Sequence, residues 1–270
     1  PEAVAILRRA LLRDGVVLHE RAQILRAQSV RGGVRLALAA GEGGAEQMVE
    51  GTHLLLATNR VPAIETLDVE LAGIAVEAGG IRVDRGLRTS NRRVYAIGDC
   101  VGGALGARRG GHVAEEQARL VLRNALFRQP SRFDAGLVPR LTQTQPELAG
   151  VGLSEDEARA KVGAIRVLRW PYAENERAQA WRETDGFIKL VTDAKGRLLG
   201  VTIVGARAGE LIAPWCLALK TGMSAQDMTE LVMPYPTLSE VSKRAATSFL
   251  APLAAKPGLR RLIGFLRRFG

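Results

Sequence analysis

Cysteine, lysine and aromatic residues are scarce in this 270-residue sequence, and each scarcity argues against a class of protein. The only two cysteines, Cys100 and Cys216, form no CxxC pair and no Cys/His cluster with metal-ligand spacing. A disulfide scaffold and a zinc site are therefore not expected, and no metal site is predicted. Aromatic residues make up 4% of the chain, which leaves little from which to build stacking platforms for single-stranded nucleic acid.

Charge and hydropathy narrow the choice of partners further. The net charge is +10, but the basic residues, mostly arginine, are scattered among acidic ones, so no nucleic-acid partner is predicted. No apolar run approaches the roughly 20 residues that a membrane-spanning helix needs, and neither end resembles a secretory leader. These features predict a soluble, cytoplasmic protein.

The first part of the chain has the periodicity of an α/β domain, and the 47% hydrophobic content is enough for about two domains. An apolar stripe predicts a helix over residues 2–13, followed by a short strand at 16–18. Alternating residues predict strands between 22 and 50, with a hairpin connection at 41–44. The apolar run 53–57 is typical of a strand buried on both faces. No GxGxxG turn opens this region, so the phosphate-binding start of a dinucleotide domain is missing from it.

The middle of the chain has weaker signals. We expect loops over 61–93, a brief strand at 94–97 that runs into Gly98-Asp99, and a linker at 129–133. A helix is predicted from residue 112 to about 128. Its inward residues would be Ala114, Ala118, Val121, Leu122 and Ala125.

The last part predicts an α+β unit. Ser154 and Glu157 have the spacing of a helix-opening capping box. Strands are expected at 165–170, 187–192 and 198–204, and helices near 208–220, 224–230 and 238–250.

The string TSNRRVYAIGD, from Thr89 to Asp99, resembles the second flavin signature of the flavoproteins that contain two dinucleotide-binding domains. Its chemistry is that of a short strand ending in glycine, where the backbone can approach a cofactor, and a carboxylate that accepts hydrogen bonds from a ribitol hydroxyl. The resemblance implies that Gly98 and Asp99 bind FAD. For the dipeptide alone, the alternative is an ordinary strand-to-loop turn.

Two flanking segments extend this resemblance. LLATNRVP, residues 55–62, is similar to the ATGRxP segment of the family, with Asn59 in place of glycine, and it makes Thr58 and Arg60 candidate cofactor contacts. Asparagine tolerates the left-handed conformation that a tight turn would need. His112 and Val113 open a helix where the family directs backbone amides at the flavin, although His112 is also explained as a loop or capping residue.

The segment PYPTLSE, residues 234–240, is similar to the acid/base segment of dihydrolipoamide dehydrogenase and glutathione reductase. Tyr235 stands where those enzymes have their histidine, and Glu240 where they have the glutamate that orients it. These two are the candidate catalytic residues, although a tyrosine with a pKa near 10 is a poor base at neutral pH. Glu240 is also explained by a capping box with Thr237. The resemblance implies a cis bond between Tyr235 and Pro236.

Three further strings in the last part agree with the interface domain of the family, at 144–153, 175–178 and 205–211. Together, these motifs resemble the class I pyridine nucleotide-disulfide oxidoreductases, in their dihydrolipoamide dehydrogenase-like or mercuric reductase-like branches. Mercuric reductase also has tyrosine in the place of Tyr235, but it ends in a cysteine pair that this sequence lacks.

The resemblance implies an α/β fold of partial Rossmann-like FAD and NAD domains, joined to an α+β dimerisation domain. The expected bounds are 1–58 for the NAD(P) part, 59–132 for the FAD part and 133–255 for dimerisation. The parent enzyme would use FAD and NAD(P)H, act as a homodimer through the last domain, and reduce a disulfide or another small-molecule acceptor. Alone, the chain would be an inactive C-terminal portion.

Residues 256–270 form a basic amphipathic tail. The apolar face holds Leu259, Leu262, Ile263 and Leu266, and the opposite face holds Arg260, Arg261, Arg267 and Arg268. It would pack on its own domain or dimer partner, or rest on an anionic membrane surface. Two rival functions stay open: a non-catalytic dimerisation module, and a peripheral membrane adaptor that works through this tail.

Overall fold

The computed structural model describes residues 2–41, 44–58, 60–254 and 257–268. Contacts divide the chain into two units, one of residues 1–10 with 62–270 and the other of residues 11–61. The strands are β1 (Ala22–Val30), β2 (Gly33–Ala40), β3 (Glu46–Gly51), β4 (Val76–Glu77), β5 (Gly80–Ile81), β6 (Arg140–Thr142), β7 (Glu147–Gly152), β8 (Ile165–Pro171), β9 (Phe187–Asp193) and β10 (Leu198–Gly205). The helices are α1 (Glu2–Arg13), α2 (Gly111–Ala125), α3 (Glu155–Val162), α4 (Glu176–Trp181), α5 (Ala208–Leu211), α6 (Ala213–Thr221), α7 (Ala225–Thr229), α8 (Glu240–Thr247), α9 (Ala251–Ala254) and α10 (Pro257–Leu266).

The unit of residues 11–61 is an antiparallel sheet in the order β1-β2-β3. The alternation that predicts strands here is confirmed, with Leu36 opposite Ala27 on one side and Val49 on the other. The strands predicted at 16–18 and 53–57 are wrong, because neither segment pairs with a strand in the described structure. Leu55 and Leu56 are 86% and 72% exposed. An apolar run becomes a doubly buried strand only inside a covered parallel sheet, and the described residues form no such sheet around this segment.

A five-stranded antiparallel sheet in the order β6-β7-β10-β9-β8 organises the last part of the other unit. Strand alternation sends Ile188 and Ile203 to one face, where they pair directly and join the main core with Trp215 of α6 and Val241 of α8. The opposite face has a smaller cluster. It contains Phe187 and Val204, which pack against Ile6 of α1. Coverage on both faces explains why β9 and β10 are nearly continuous runs of apolar residues.

In the middle region, the buried face of α2 differs from the predicted one. The buried residues are Val113, Gln117 and Leu120, whereas Leu122 is half exposed. The alanine-rich stripe is displaced because Gln117 turns inward, where its side-chain oxygen accepts the Gly98 amide at 2.6 Å. A polar residue at a core-facing position is invisible to a search for apolar periodicity.

Two other expectations in this region have different outcomes. The strand predicted at 94–97 is reduced to a single bridge between Tyr95 and Arg88. The predicted linker at 129–133 is packed, since Phe133 is buried and the Ser131 amide donates to the Asn124 side chain at 2.7 Å. Pro130 and Ser131 correctly predicted a loop, but the backbone of this loop is hydrogen-bonded to other parts of the fold.

Of the two predicted capping boxes, one is confirmed. Ser154 and Glu157 exchange both hydrogen bonds of the box at the start of α3. At α8 the N-cap is Ser239, which makes no side-chain cap bond, and the Thr237 hydroxyl donates to the Pro234 carbonyl at 2.7 Å instead. The helix therefore begins too late for Thr237 to cap it, and the capping explanation for Glu240 is wrong.

In the part of the chain that the structure describes, no helix combines the length and the apolar character needed to cross a bilayer. The cytoplasmic location stays a prediction.

Candidate flavin and active-site residues

The Gly98-Asp99 turn and the start of α2 come together, as the resemblance implied. Gly98 has φ +73°, a left-handed value that favours glycine, and a Cβ there would lie 3.2 Å from the Ala114 Cβ. The Asp99 carboxylate accepts the Gly110 amide at 3.1 Å, which ties the turn to the residue before the helix. Glycine at position 98 thus allows the turn to pack closely against α2, with a carboxylate beside the N-terminus of that helix.

The first turn of α2 uses only some of its amides internally. Those of Val113 and Ala114 donate to the Gly110 carbonyl, while those of Gly111 and His112 precede the first helical hydrogen bond. The His112 side chain is exposed, and its Nε2 lies 3.3 Å from the Pro139 carbonyl oxygen. Val113 contributes a buried side chain, so an anion-stabilising role here belongs to the helix end rather than to either side chain.

Gln117 fits a cofactor site and was missed from the sequence. Its Nε2 is buried and has no hydrogen-bond partner in the described part of the chain, although its Oε1 holds the Gly98 amide. A buried donor without a partner is costly, and such groups in native proteins call for an explanation. An unused donor beside a glycine turn and a carboxylate matches the needs of a hydroxyl- and carbonyl-rich ligand such as a flavin nucleotide.

Thr58 and Arg60 lie in the unit of residues 11–61, and both are exposed. Their roles as cofactor contacts stay predictions. Asn59, which replaces the glycine of the ATGRxP segment, lies outside the described residues.

Tyr235 and Glu240 lie near each other at the start of α8. The peptide bond between Tyr235 and Pro236 is cis, as expected. Tyr235 is 66% exposed, and its hydroxyl donates to the Glu176 carboxylate. This hydrogen bond is the largest cause that raises the pKa of Tyr235; partial burial and the negative charges of Glu176 and Glu240 raise it further. The phenol therefore holds its proton more firmly than a free tyrosine.

Glu176 is the second candidate site residue, after Gln117, that the sequence motifs did not indicate. It lies within the 175–178 string that resembles the family, but nothing local in the sequence connects it with a residue almost sixty positions later. Only the packing of α4 against the segment before α8 brings the two side chains together.

The surroundings of the two cysteines are those of packing residues and not of redox-active thiols. The Cys100 thiol donates to the Ile97 carbonyl at 3.1 Å, and burial raises the pKa of Cys216. Both thiols are free. A thiol with a raised pKa is a weak nucleophile at neutral pH, so Cys216 is poorly suited to disulfide exchange.

Comparison with known proteins agrees with this arrangement. Residues 1–120 match the pyridine nucleotide-disulphide oxidoreductase family model, and residues 138–246 match the model of the dimerisation domain of the same family. The chain therefore belongs to the pyridine nucleotide-disulfide oxidoreductases. The expected fold, partial Rossmann-like α/β regions followed by a dimerisation domain, is confirmed.

Individual relatives show how much of a whole protein the chain represents. It is 34% identical to dihydrolipoyl dehydrogenase 3 of Pseudomonas aeruginosa over 91% of the chain and 52% of that protein. It is 36% identical to a mercuric reductase of Staphylococcus aureus over 76% of the chain and 37% of that protein. The crystal structure of LpdA from Mycobacterium tuberculosis is similar with a TM-score of 0.82 and 28% identity, over 92% of the chain and 52% of LpdA. The chain thus spans about half the length of dihydrolipoyl dehydrogenase 3 and of LpdA.

Proposed function

We propose that the chain is the C-terminal half of an FAD-dependent oxidoreductase that passes electrons from NADH or NADPH, through flavin, to a disulfide or another small-molecule acceptor. The observation that carries the proposal is the junction of Gly98, Asp99 and the N-terminus of α2, with the unpartnered Gln117 donor beside it. Family membership supports the same chemistry. When bound, FAD would supply the reversible acceptance of a hydride and the release of its electrons to the acceptor.

Each residue of the junction has a separate task in this proposal. The Asp99 carboxylate accepts a hydrogen bond from a ribitol hydroxyl, and Gly98 allows the backbone to come close. The amide end of α2, at Gly111 and His112, stabilises negative charge on the flavin ring. The redox cysteine pair and the phosphate-binding loops come from the other half of the protein.

The homodimer is part of the proposal, since residues 138–246 match a dimerisation domain. Tyr235 and Glu240 would be presented across the two-fold interface to the flavin of the partner. The exposure of Tyr235 in the single chain is compatible with such a position. Each active site would then need two chains.

The test is to express the full-length protein that contains this chain and to measure bound flavin, NADH- or NADPH-driven reduction of a dye, and mass by sedimentation. We expect a yellow, active dimer, and a colourless product when residues 1–270 are expressed alone, because one carboxylate and a few amides cannot replace a phosphate cradle. A colourless, inactive full-length dimer would instead favour a non-catalytic dimerisation module.

The basic tail supports a second, subsidiary proposal: that it holds the protein on an anionic membrane surface. Four apolar side chains of the tail, Leu262, Ile263, Phe265 and Leu266, are between 49% and 56% exposed on the single chain. Arg261, Arg267 and Arg268 are exposed on the same segment. The side chains of Leu259 and Arg260 lie outside the described residues.

Removal of residues 257–270 is expected to abolish sedimentation with vesicles rich in anionic lipid, since each basic residue near such a surface contributes about 1 kcal/mol. Vesicles of neutral lipid provide the control and should pellet neither form. Equal pelleting of the intact and truncated proteins with anionic vesicles would leave the tail as a packing element.

A further inference from the structure

Three consecutive residues at the start of α4 hold the segment that contains Tyr235. The Asn175 side-chain amide donates to the Thr237 carbonyl at 3.0 Å, and Arg177 Nε donates to the Pro236 carbonyl at 3.1 Å. Between them, the Glu176 carboxylate accepts the Tyr235 hydroxyl. Two of these bonds fix the backbone after Tyr235, and the third fixes its side chain.

The chemistry of the pair sets the direction of the third bond. An ionised carboxylate only accepts hydrogen bonds, and a phenol has a single proton to give. With that proton directed at Glu176, the lone pairs of the Tyr235 oxygen are the part of the hydroxyl that other groups can use. The titratable groups that face the phenol are Glu176 from α4 and Glu240 from α8, and both are acidic.

We propose that Glu176 is a positioning residue, which holds Tyr235 as a hydrogen-bond acceptor toward the reacting groups and prevents it from acting as an acid or base. This inference rests on the proposed function, because only there does Tyr235 face a substrate. It also narrows the class of substrate. Reduction of a disulfide needs an acid at this place to protonate the thiolates that are released, and the reverse oxidation of a dithiol needs a base, whereas a cation or a hydrogen-bond donor is suited to an oxygen lone pair beside two carboxylates.

The pairing is tested by tyrosine titration, followed by ultraviolet absorbance of the folded protein. Glu176→Gln is expected to lower the midpoint of the Tyr235 phenol toward the ordinary value of about 10. Tyr235→Phe removes the transition of Tyr235 and so distinguishes it from those of the other tyrosines. Glu174→Gln is the matched control, since it removes an exposed carboxylate two residues away. Equal midpoints in the Glu176→Gln and Glu174→Gln variants would overturn the positioning role.

The consequence for substrates is tested with dihydrolipoamide as a probe dithiol on the full-length dimer, with NAD⁺ or NADP⁺ as the oxidant that takes up the electrons. Wild-type protein should oxidise it slowly, and Tyr235→His should raise that rate at least tenfold, because a well-placed general base contributes about 10²- to 10⁴-fold. Rapid wild-type oxidation that neither Tyr235→Phe nor Glu176→Gln reduces would contradict the inference.

The two arms separate this inference from the proposed function. The titration needs no flavin, so an unshifted phenol overturns the positioning role alone. A full-length protein without flavin, but with the expected titration, would overturn the proposed function and with it the effect on substrates.

Discussion

Replacement of Asp99 by alanine is expected to weaken FAD binding by the full-length protein about 10- to 100-fold. A hydrogen bond to a charged group contributes about 1.5–3 kcal/mol, and each 1.4 kcal/mol corresponds to a factor of ten in the dissociation constant. Asp99 also accepts the Gly110 amide at 3.1 Å, so its removal releases the connection that leads into α2. The measurement is the dissociation constant of FAD for deflavinated protein, followed by flavin fluorescence.

Asp193→Ala provides the matched control for Asp99→Ala. Asp193 likewise accepts backbone amides, from Lys195 and Arg197, but it does so in the hairpin between β9 and β10. Its removal deletes the same charge and comparable hydrogen bonds away from the proposed flavin contacts. If both variants retain flavin equally well, Asp99 has no direct role in binding it.

Replacement of Trp215 by alanine is expected to lower the free energy of unfolding by about 3–5 kcal/mol, the range for removal of a fully buried aromatic residue. Trp215 is the largest fully buried side chain, and it lies between the sheet and α8. Its indole nitrogen donates to the Ser242 hydroxyl at 3.1 Å. The loss therefore combines a large cavity with a broken buried hydrogen bond.

Two controls separate these contributions, with unfolding by denaturant measured at one fixed protein concentration. Ser242→Ala leaves the indole N–H buried without its partner and should cost about 1–3 kcal/mol. Trp181→Ala removes a half-exposed ring that lies under the Arg177 guanidinium, 5.3 Å from its centroid, and should cost about 1 kcal/mol or less. A Trp215→Ala protein as stable as Trp181→Ala would show that the sheet and helices do not share one core.

The dimerisation domain could be predicted from the sequence because its local signals and its packing agree. The strands predicted at 187–192 and 198–204 are β9 and β10, and the Ser154 box placed the start of α3. Each of these elements is specified by residues a few positions apart, and the tertiary packing favours the same local structure.

The failures arise where an element depends on a distant partner. The apolar run 53–57 has the composition of a buried strand but no neighbouring strands in the described structure, and the inward-facing Gln117 bonds to Gly98, 19 positions away in the sequence. The same limit applies at the candidate active site. Tyr235 and Glu240 could be identified by resemblance, whereas Glu176 becomes visible only when α4 packs beside them.

Whether the Gly98-Asp99 turn holds a flavin nucleotide is decided by a crystal structure of the full-length protein with FAD. We expect an Asp99 carboxylate oxygen about 2.5–3.0 Å from a ribitol hydroxyl, the range of an ordinary O–H···O hydrogen bond. A flavin bound elsewhere, with its ribitol chain out of hydrogen-bonding reach of Asp99, would contradict this expectation.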